Sequence, residues 1–172
     1  PDLIVSSEKL SKELGFKQMR FLNLSVAESE TSDALPAHVD MVTALHACNT
    51  ATDDAIKFGL YKQAKFMVLV PCCQAEMASV LRKNKSRQLQ DPLTEIWRHP
   101  LHTREFGSQL TNALRCLQLE AHGYQVTVTE LVGWEHSMKN ELIIARKQGG
   151  PKHHSADRLN EILDRLGLEE LR

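Results

Sequence analysis

The sequence has too few cysteines and too little charge of one sign to belong to several familiar protein classes. Its 172 residues include four cysteines, which is too few for a disulfide-stapled scaffold, so we predict that the thiols are reduced. Lysine and arginine number 21 and aspartate and glutamate 22, so the net charge is −1. A protein that relies on nucleic-acid phosphates usually carries a basic surplus, so any such contact must come from a local patch.

Long hydrophobic runs are also missing. No apolar run approaches the roughly 18–20 residues of a membrane span, and no signal peptide opens the sequence. We therefore predict a cytoplasmic protein without a membrane partner. The first residue is Pro1 rather than methionine, which favours processing or a missing front segment.

What is present is the composition of an ordinary globular protein. Hydrophobic residues make up 42% of the sequence and charged residues 25%, which argues against a disordered or low-complexity chain. The length predicts a single domain over residues 1–172. Within it we expect a polar excursion over residues 84–100 and a C-terminal helix within residues 152–172.

Hydrophobic patterning predicts helices that alternate with strands. Apolar runs predict strands at residues 19–24, 40–45 and 65–70, and two more follow at 124–131 and 141–146. The predicted helices lie at residues 2–14, 50–62, 74–82, 101–122 and from Ser155 onward, with a polar loop at 25–38. This order predicts an α/β layer with a mostly parallel sheet. The last two strands are expected to form an antiparallel pair, because their connection is short.

Polar and nucleophilic side chains follow two of the predicted strands, and ligands bind at the carboxyl ends of such strands in open α/β sheets. His46, Cys48, Asn49, Thr50 and Asp53 follow the strand at 40–45, and Pro71, Cys72, Cys73 and Gln74 follow the strand at 65–70. Each cluster alone is equally well explained by buried cysteines or helix-capping residues. The two together, each at a strand end, favour a site.

Three kinds of chemistry suit these clusters. Zinc deamination needs H-x-E and P-C-x-x-C, but Cys48 replaces the glutamate and Ala75 replaces the second cysteine, so we exclude it. A zinc site would use His46, Cys48, Cys72 and Cys73. Adjacent cysteines rarely bind one tetrahedral ion, so we predict no metal. The third kind is a group-transfer pocket that binds a cofactor and a substrate.

Four segments together resemble a known enzyme family. They are HACNTATDDAI from His46, VPCCQAEM from Val70, REFGSQLTNALRCLQLEAHGY from Arg104 and WEHSMKNELIIAR from Trp134. In combination they resemble the class I S-adenosylmethionine-dependent methyltransferases of the "methyltransferase domain 32" type, from about Leu3 to the final helix. The resemblance implies methyl transfer, S-adenosyl-L-methionine as cofactor and a Rossmann-like sheet of order 3-2-1-4-5-7-6. Residues 19–24, 40–45, 65–70, 125–131 and 141–146 would then be strands 3, 4, 5, 6 and 7.

The sequence also departs from this family. Its members hold the methionine part of the cofactor on a glycine-rich loop after strand 1 and the ribose with an acidic residue that ends strand 2. Neither element is present, so strands 1 and 2 are predicted to be missing, and an N-terminal segment or a partner chain would complete the sheet. Ser25 and Asn49 stand where acidic residues are usual. We expect these residues alone to be inactive and to bind the cofactor weakly, and a non-catalytic interaction module is the alternative.

The resemblance assigns roles to particular residues. It places Asn23, Leu24, Ser25, Leu45 and His46 at the cofactor. It places Cys48, Asn49, Thr50, Asp53, Pro71, Gln74, Glu135 and His136 at the substrate. His46 would act as a general base, unless it is a hydrogen-bonded structural histidine. Cys72 or Cys73 would be a nucleophile, by analogy with some RNA cytosine-C5 methyltransferases. Cys116 is interpreted as a core residue.

A local basic stretch at residues 82–104 suggests RNA as a partner. It contains Lys83, Lys85, Arg87, Arg98, His99, His102 and Arg104. These cations would bind phosphates while Trp97 stacks on a base. A solvated polar linker with one anchoring aromatic residue is the alternative.

Overall fold

Helices and strands alternate along the described part of the chain in the computed structural model. That part comprises residues 2–45, 47, 50–71, 75–83, 94–133, 135–136 and 140–168. The chain divides into two compact units, Pro1–Leu35 and Pro36–Arg172. The single domain expected over residues 1–172 stays a prediction.

The N-terminal unit contains two helices, α1 (Asp2–Glu13) and α2 (Val26–Glu30). Gly15 follows α1 with φ of 79°, a backbone conformation that suits glycine where a helix ends. Ser25 begins α2 through a capping box. Its Oγ accepts a hydrogen bond from the Glu28 amide at 3.2 Å, and Glu28 Oε2 accepts one from the Ser25 amide at 2.7 Å. The polar loop predicted over residues 25–38 is therefore wrong at α2.

The strand predicted at Met19–Leu24 is also wrong. These residues form neither helix nor strand. A strand must pair its backbone groups with a neighbouring strand, and the described residues of the N-terminal unit contain none. Met19 and Leu24 are exposed, so the segment does not bury the apolar side chains that suggested a strand.

The C-terminal unit contains four strands and five helices among its described residues. They are β1 (Met41–Leu45), α3 (Ala51–Tyr61), β2 (Phe66–Val70), α4 (Ala75–Lys83), α5 (Thr94–Trp97), α6 (Pro100–Ala121), β3 (Tyr124–Glu130), β4 (Glu141–Lys147) and α7 (His153–Leu166). The strands and long helices agree with the predicted ones to within a few residues. α7 begins earlier than predicted, because Lys152 is its N-cap, and Ser155 Oγ instead donates to Glu120 Oε2 at 3.2 Å.

The four strands form one mixed sheet in the order β1-β2-β4-β3. β1 and β2 are parallel, with Leu45 opposite Val70. β4 runs antiparallel to both β2 and β3, as expected for the last two strands. The resemblance gives its strands 4, 5, 7 and 6 these same neighbours. The full order 3-2-1-4-5-7-6, which needs strands outside this sheet, stays a prediction.

One face of the sheet is covered by α3 and α6. Their apolar side chains pack with those of the strands into one core, whose buried members are Val42, Ala55, Ile56, Ala64, Met67, Leu69, Leu119, Tyr124, Ile143 and Ala145. Tyr124 is fully buried, and its hydroxyl donates to the Ala64 carbonyl at 2.6 Å, so burying this polar group leaves no unmet hydrogen bond. The helices are thereby fixed to the sheet.

A second apolar cluster joins α4, α6 and α7. Its buried members are Met77, Val80, Leu81, Leu114, Leu163 and Leu168. α6 therefore contributes to both clusters, and this explains why it is the longest helix among the described residues, at 22 residues. No helix in the described part of the chain is both long and apolar enough to span a membrane.

Two helical glycines provide a test of the packing. A Cβ at Gly107 would lie 2.9 Å from the backbone nitrogen of Ala78, where α6 crosses α4. A Cβ at Gly59 would instead meet the flexible end of Met67, 2.7 Å from its Cε. We predict that Gly107→Ala lowers the free energy of unfolding by about 1–3 kcal/mol, since backbone cannot move aside cheaply. Gly59→Ala should cost less than about 1 kcal/mol, because helix propensity offsets the crowding.

Urea unfolding of both variants measures these changes. Equal losses at the two positions would contradict the predicted close contact between α4 and α6.

Candidate active site at the carboxyl ends of β1 and β2

The parallel pairing of β1 and β2 brings two strand ends to the same edge of the sheet. Leu45, the last residue of β1, lies opposite Val70, the last residue of β2. β4 is antiparallel to β2, so its first residue, Glu141, lies at this edge too, opposite Glu130 at the end of β3. We call this side of the sheet the carboxyl edge. It is where ligands bind in open α/β sheets.

The first turn of α3 is tied back toward β1. Thr52 is fully buried, and its Oγ1 donates a hydrogen bond of 2.7 Å to the Ala47 carbonyl. The Asp54 amide donates to the Thr50 carbonyl at 2.8 Å. Thr50 is the N-cap residue, but its side chain makes no capping hydrogen bond. The threonine that holds the turn is therefore Thr52.

Asp53 forms a two-pronged ion pair with Arg115 of α6. The Arg115 Nε and Nη2 groups donate to the two carboxylate oxygens of Asp53, each at 2.7 Å. The Arg115 side chain is only 3% exposed, whereas that of Asp53 is 47% exposed. Two parallel hydrogen bonds of this kind fix orientation as well as distance. The pair thus clamps the start of α3 onto α6.

Asn112 extends the ion pair to β4. Its Oδ1 accepts from Arg115 Nη1 at 3.2 Å, and its Nδ2 donates to Glu141 Oε2 at 2.7 Å. Asn112 is buried, so both ends of its amide are used inside the protein. The four side chains form a continuous series from α3 through α6 to β4, which we call the Asp53–Glu141 network.

Cys116 lies next to this network and packs against the core. Burial raises the pKa of its thiol to about 11, and the negative charges of Glu141 and Glu120 add to the effect. The thiol is therefore protonated at neutral pH and a poor nucleophile. This environment fits the interpretation of Cys116 as a core residue.

The structure brings several of the predicted site residues to the carboxyl edge. Leu45 is 62% exposed at the end of β1, and Pro71 is buried directly after β2. Thr50 and Asp53 lie at the start of α3. Glu135 and His136 are exposed in the connection between β3 and β4, with 3.7 Å between His136 Nε2 and Glu135 Oε1.

Other predicted site residues belong to the N-terminal unit or are not described. Asn23, Leu24 and Ser25 belong to the N-terminal unit, where Ser25 caps α2. His46, Cys48, Asn49, Cys72, Cys73 and Gln74 lie outside the described residues, so their roles stay predictions. Among the described residues, no group of three or more His, Cys, Asp or Glu side chains is placed to hold a metal ion.

The described part of the basic stretch contains ion pairs. Arg98 pairs with Glu95 at 3.0 Å and Arg104 with Glu105 at 2.9 Å. His99 and His102 contact each other edge to face. Arg98 and Arg104 thus each have an acidic neighbour that offsets the charge. The side chains of Lys83, Lys85, Arg87 and Trp97 lie outside the described part of the chain.

Sequence reasoning missed Arg115, Asn112 and Glu141. One signal was available: Asn112, Arg115 and Leu119 share one helical face by their spacing, so two polar residues sit on a stripe that the core buries. A buried cation needs a partner, so the pattern indicated an acid on another element. It did not indicate that the acid would be Asp53.

Comparison with known proteins gives one match. Residues 1–80 match the model of a methyltransferase domain family. The match includes β1, α3, β2 and thus both strand ends of the candidate site. It confirms the resemblance over these residues and is consistent with a class I methyltransferase-type domain. No curated protein and no solved structure matches the chain.

The environment of Cys116 predicts an unreactive thiol. In a Cys48→Ala, Cys72→Ala, Cys73→Ala variant, the folded protein should react with a disulfide reagent far more slowly at pH 8 than the same protein in guanidinium. A pKa of about 11 leaves only about one thiol in a thousand ionised at this pH. The rate should rise about tenfold for each pH unit as long as the fold persists. Equal rates in the folded and unfolded protein would contradict the prediction.

Proposed function

We propose that this chain forms part of an S-adenosylmethionine-dependent methyltransferase whose site lies at the carboxyl edge. The observation that carries the proposal is the match of residues 1–80 to a methyltransferase domain family, because those residues include both β1 and β2. Their parallel register, with Leu45 opposite Val70, directs the two following segments to one edge. The candidate residues of the sequence are concentrated in these two segments.

The described side chains suit a positively charged cofactor. Carboxylates predominate at the carboxyl edge and in the adjoining β3–β4 connection: Asp53, Asp54, Glu130, Glu135 and Glu141. Arg115 pairs with one of them, Asp53, in the Asp53–Glu141 network. A negative field of this kind favours a sulfonium. When bound, S-adenosylmethionine would supply an electrophilic methyl group.

The residues of this chain would then hold the cofactor and remove a proton from the acceptor. Leu45 is exposed at the end of β1 and would form part of the cofactor site. His46 directly follows it in the sequence and, as a neutral imidazole, would accept the proton that the methyl acceptor releases. The family resemblance also assigns Asn23, Leu24 and Ser25 to the cofactor, and this assignment stays a prediction.

RNA is the proposed acceptor class. The support comes from the sequence of the basic stretch at residues 82–104, in particular Lys83, Lys85 and Arg87. A cysteine nucleophile at Cys72 or Cys73 would suit a pyrimidine acceptor, because a thiolate that adds to one ring carbon activates its neighbour to take the methyl group. Loss of the proton from that neighbour would then release the thiolate and restore the ring.

Further chain is proposed to complete the cofactor site. β1 is an edge strand of the described sheet, and Met41 and Leu45 expose apolar surface there. An edge of this kind is a template for pairing with another strand. A segment or partner that supplies the glycine-rich loop and the ribose-binding acid would fit against it. We therefore propose that the 172 residues alone bind the cofactor weakly.

Calorimetric titration with S-adenosylhomocysteine tests the proposal. The titration compares this chain with a form extended upstream along its reading frame. We expect saturable micromolar binding by the extended form and at least tenfold weaker binding by this chain. In the extended form, His46→Ala should abolish most methyl transfer to RNA, whereas His154→Ala, an exposed histidine on α7, should not.

Two outcomes would contradict the proposal. Micromolar binding by the 172 residues alone would show that no further segment is needed. If neither form binds S-adenosylhomocysteine, S-adenosylmethionine is not the cofactor, and the non-catalytic interaction module is favoured.

A further inference from the structure

We propose that Arg115 is a positioning residue, which fixes the first turn of α3 in the geometry that methyl transfer requires. The inference rests on the proposed function in placing the candidate substrate residues Thr50 and Asp53 at that turn. Its structural part, that Arg115 restrains the first turn of α3, does not depend on cofactor binding. It assigns a role to α6, which lies outside the residues that match the methyltransferase domain family.

The ion pair with Arg115 fixes the orientation of the Asp53 carboxylate. Arg115 is almost completely buried, and its guanidinium meets both oxygens of Asp53 at 2.7 Å. A planar fork matches a carboxylate in one relative orientation, which a lysine ammonium cannot impose. A small rotation of the first turn of α3 would break at least one of the two hydrogen bonds. The pair is therefore sensitive to the position of Asp53.

A hydrogen bond from Thr52 connects the turn that Asp53 belongs to with the residues that follow β1. Thr52 precedes Asp53, is fully buried and donates from its Oγ1 to the Ala47 carbonyl at 2.7 Å. Ala47 is the sequence neighbour of both His46 and Cys48. Thr52 thus ties the first turn of α3 to Ala47, two residues after the last residue of β1.

Asn112 connects the Arg115–Asp53 pair to β4. Asn112 joins Arg115 to Glu141, the first residue of β4, and β4 pairs with β2. Glu141 also lies opposite Glu130, so two like charges face each other across the strands. Such a pair is unfavourable by itself, and the Asn112 amide helps to fix one of its members. The Asp53–Glu141 network therefore fixes the start of α3 relative to β4, which pairs with β2.

An ion pair with a buried member is weak evidence for stabilisation. Replacing a buried ion pair by apolar residues of similar volume is often neutral or stabilising. At the opposite edge of the sheet, the Lys65–Asp40 pair joins two exposed side chains and contacts none of the candidate site residues that the structure describes. The pair of buried Arg115 and half-exposed Asp53 instead lies at the start of α3, beside the candidate residue Thr50, where exact placement of groups matters for rate.

Amide hydrogen exchange tests the structural part of the proposal. Arg115→Lys keeps the charge but removes the fork, and Lys65→Met breaks the exposed pair as the matched control. We expect Arg115→Lys to speed exchange at Thr50, Thr52 and Asp53 at least tenfold while the amides of β2 and β4 stay within about twofold. Lys65→Met should leave all of these amides nearly unchanged.

A compensating variant distinguishes positioning from general destabilisation. Asp53→Glu in the Arg115→Lys background lengthens the acid by one methylene, so a single hydrogen bond can form again. The double variant should recover part of the lost protection. Exchange that accelerates equally at all amides in Arg115→Lys, in proportion to the loss of global stability, would overturn the proposal. The same holds if the double variant is less protected than Arg115→Lys.

Methyl transfer tests the functional part in the form of the protein that binds S-adenosylhomocysteine. Arg115→Lys should lower kcat at least tenfold and change the KM for S-adenosylmethionine less than threefold, whereas Lys65→Met should change neither. Equal kcat values for Arg115→Lys and the parent protein would overturn the functional part. If the parent protein itself transfers no methyl group, the proposed function fails. The exchange data still decide whether Arg115 fixes the first turn of α3.

Discussion

The candidate site depends on the parallel pairing of β1 with β2. Two parallel strands require a crossover connection, and α3 provides it by packing Ala55 and Ile56 into the core against the sheet. Because both strands run the same way, the chain leaves them at the same edge. The apolar core determines the position of α3 on the sheet, and the position of α3 determines where the segment after β1 can lie.

The apolar core and the Asp53–Glu141 network perform different tasks. Hydrophobic burial is non-directional and tolerates small shifts of a helix on a sheet. The ion pair between Arg115 and Asp53 is directional, since both hydrogen bonds must form together. α6 contributes to both, with Leu119 in the core and Arg115 in the network. One helix thus joins the sheet to α3 and also sets the orientation of its first turn.

Local patterns predicted the elements well but failed where the structure depends on distant partners. The strand at Phe66–Val70 was visible because it is a short apolar run, and α6 because its apolar residues recur at helical spacing. The apolar residues at 19–24 looked similar, yet no described strand of their unit pairs with them. The capping box of Ser25 and Glu28 was readable and was overlooked. Arg115 and Asp53 are 62 positions apart, so no local pattern could join them.

The network also changes how the two parts of the C-terminal unit are understood. The residues that match the methyltransferase domain family end at residue 80, within α4. They supply β1, β2 and the segments that follow both strands. The side chains that clamp this region, Asn112, Arg115 and Glu141, all come later in the sequence. Buried Arg115 on α6 needs the carboxylate of Asp53, which lies at the start of α3. The positions of α6 and β4 are therefore coupled to the position of that turn. On this proposal the later elements help to build the candidate site as well as to cover the sheet.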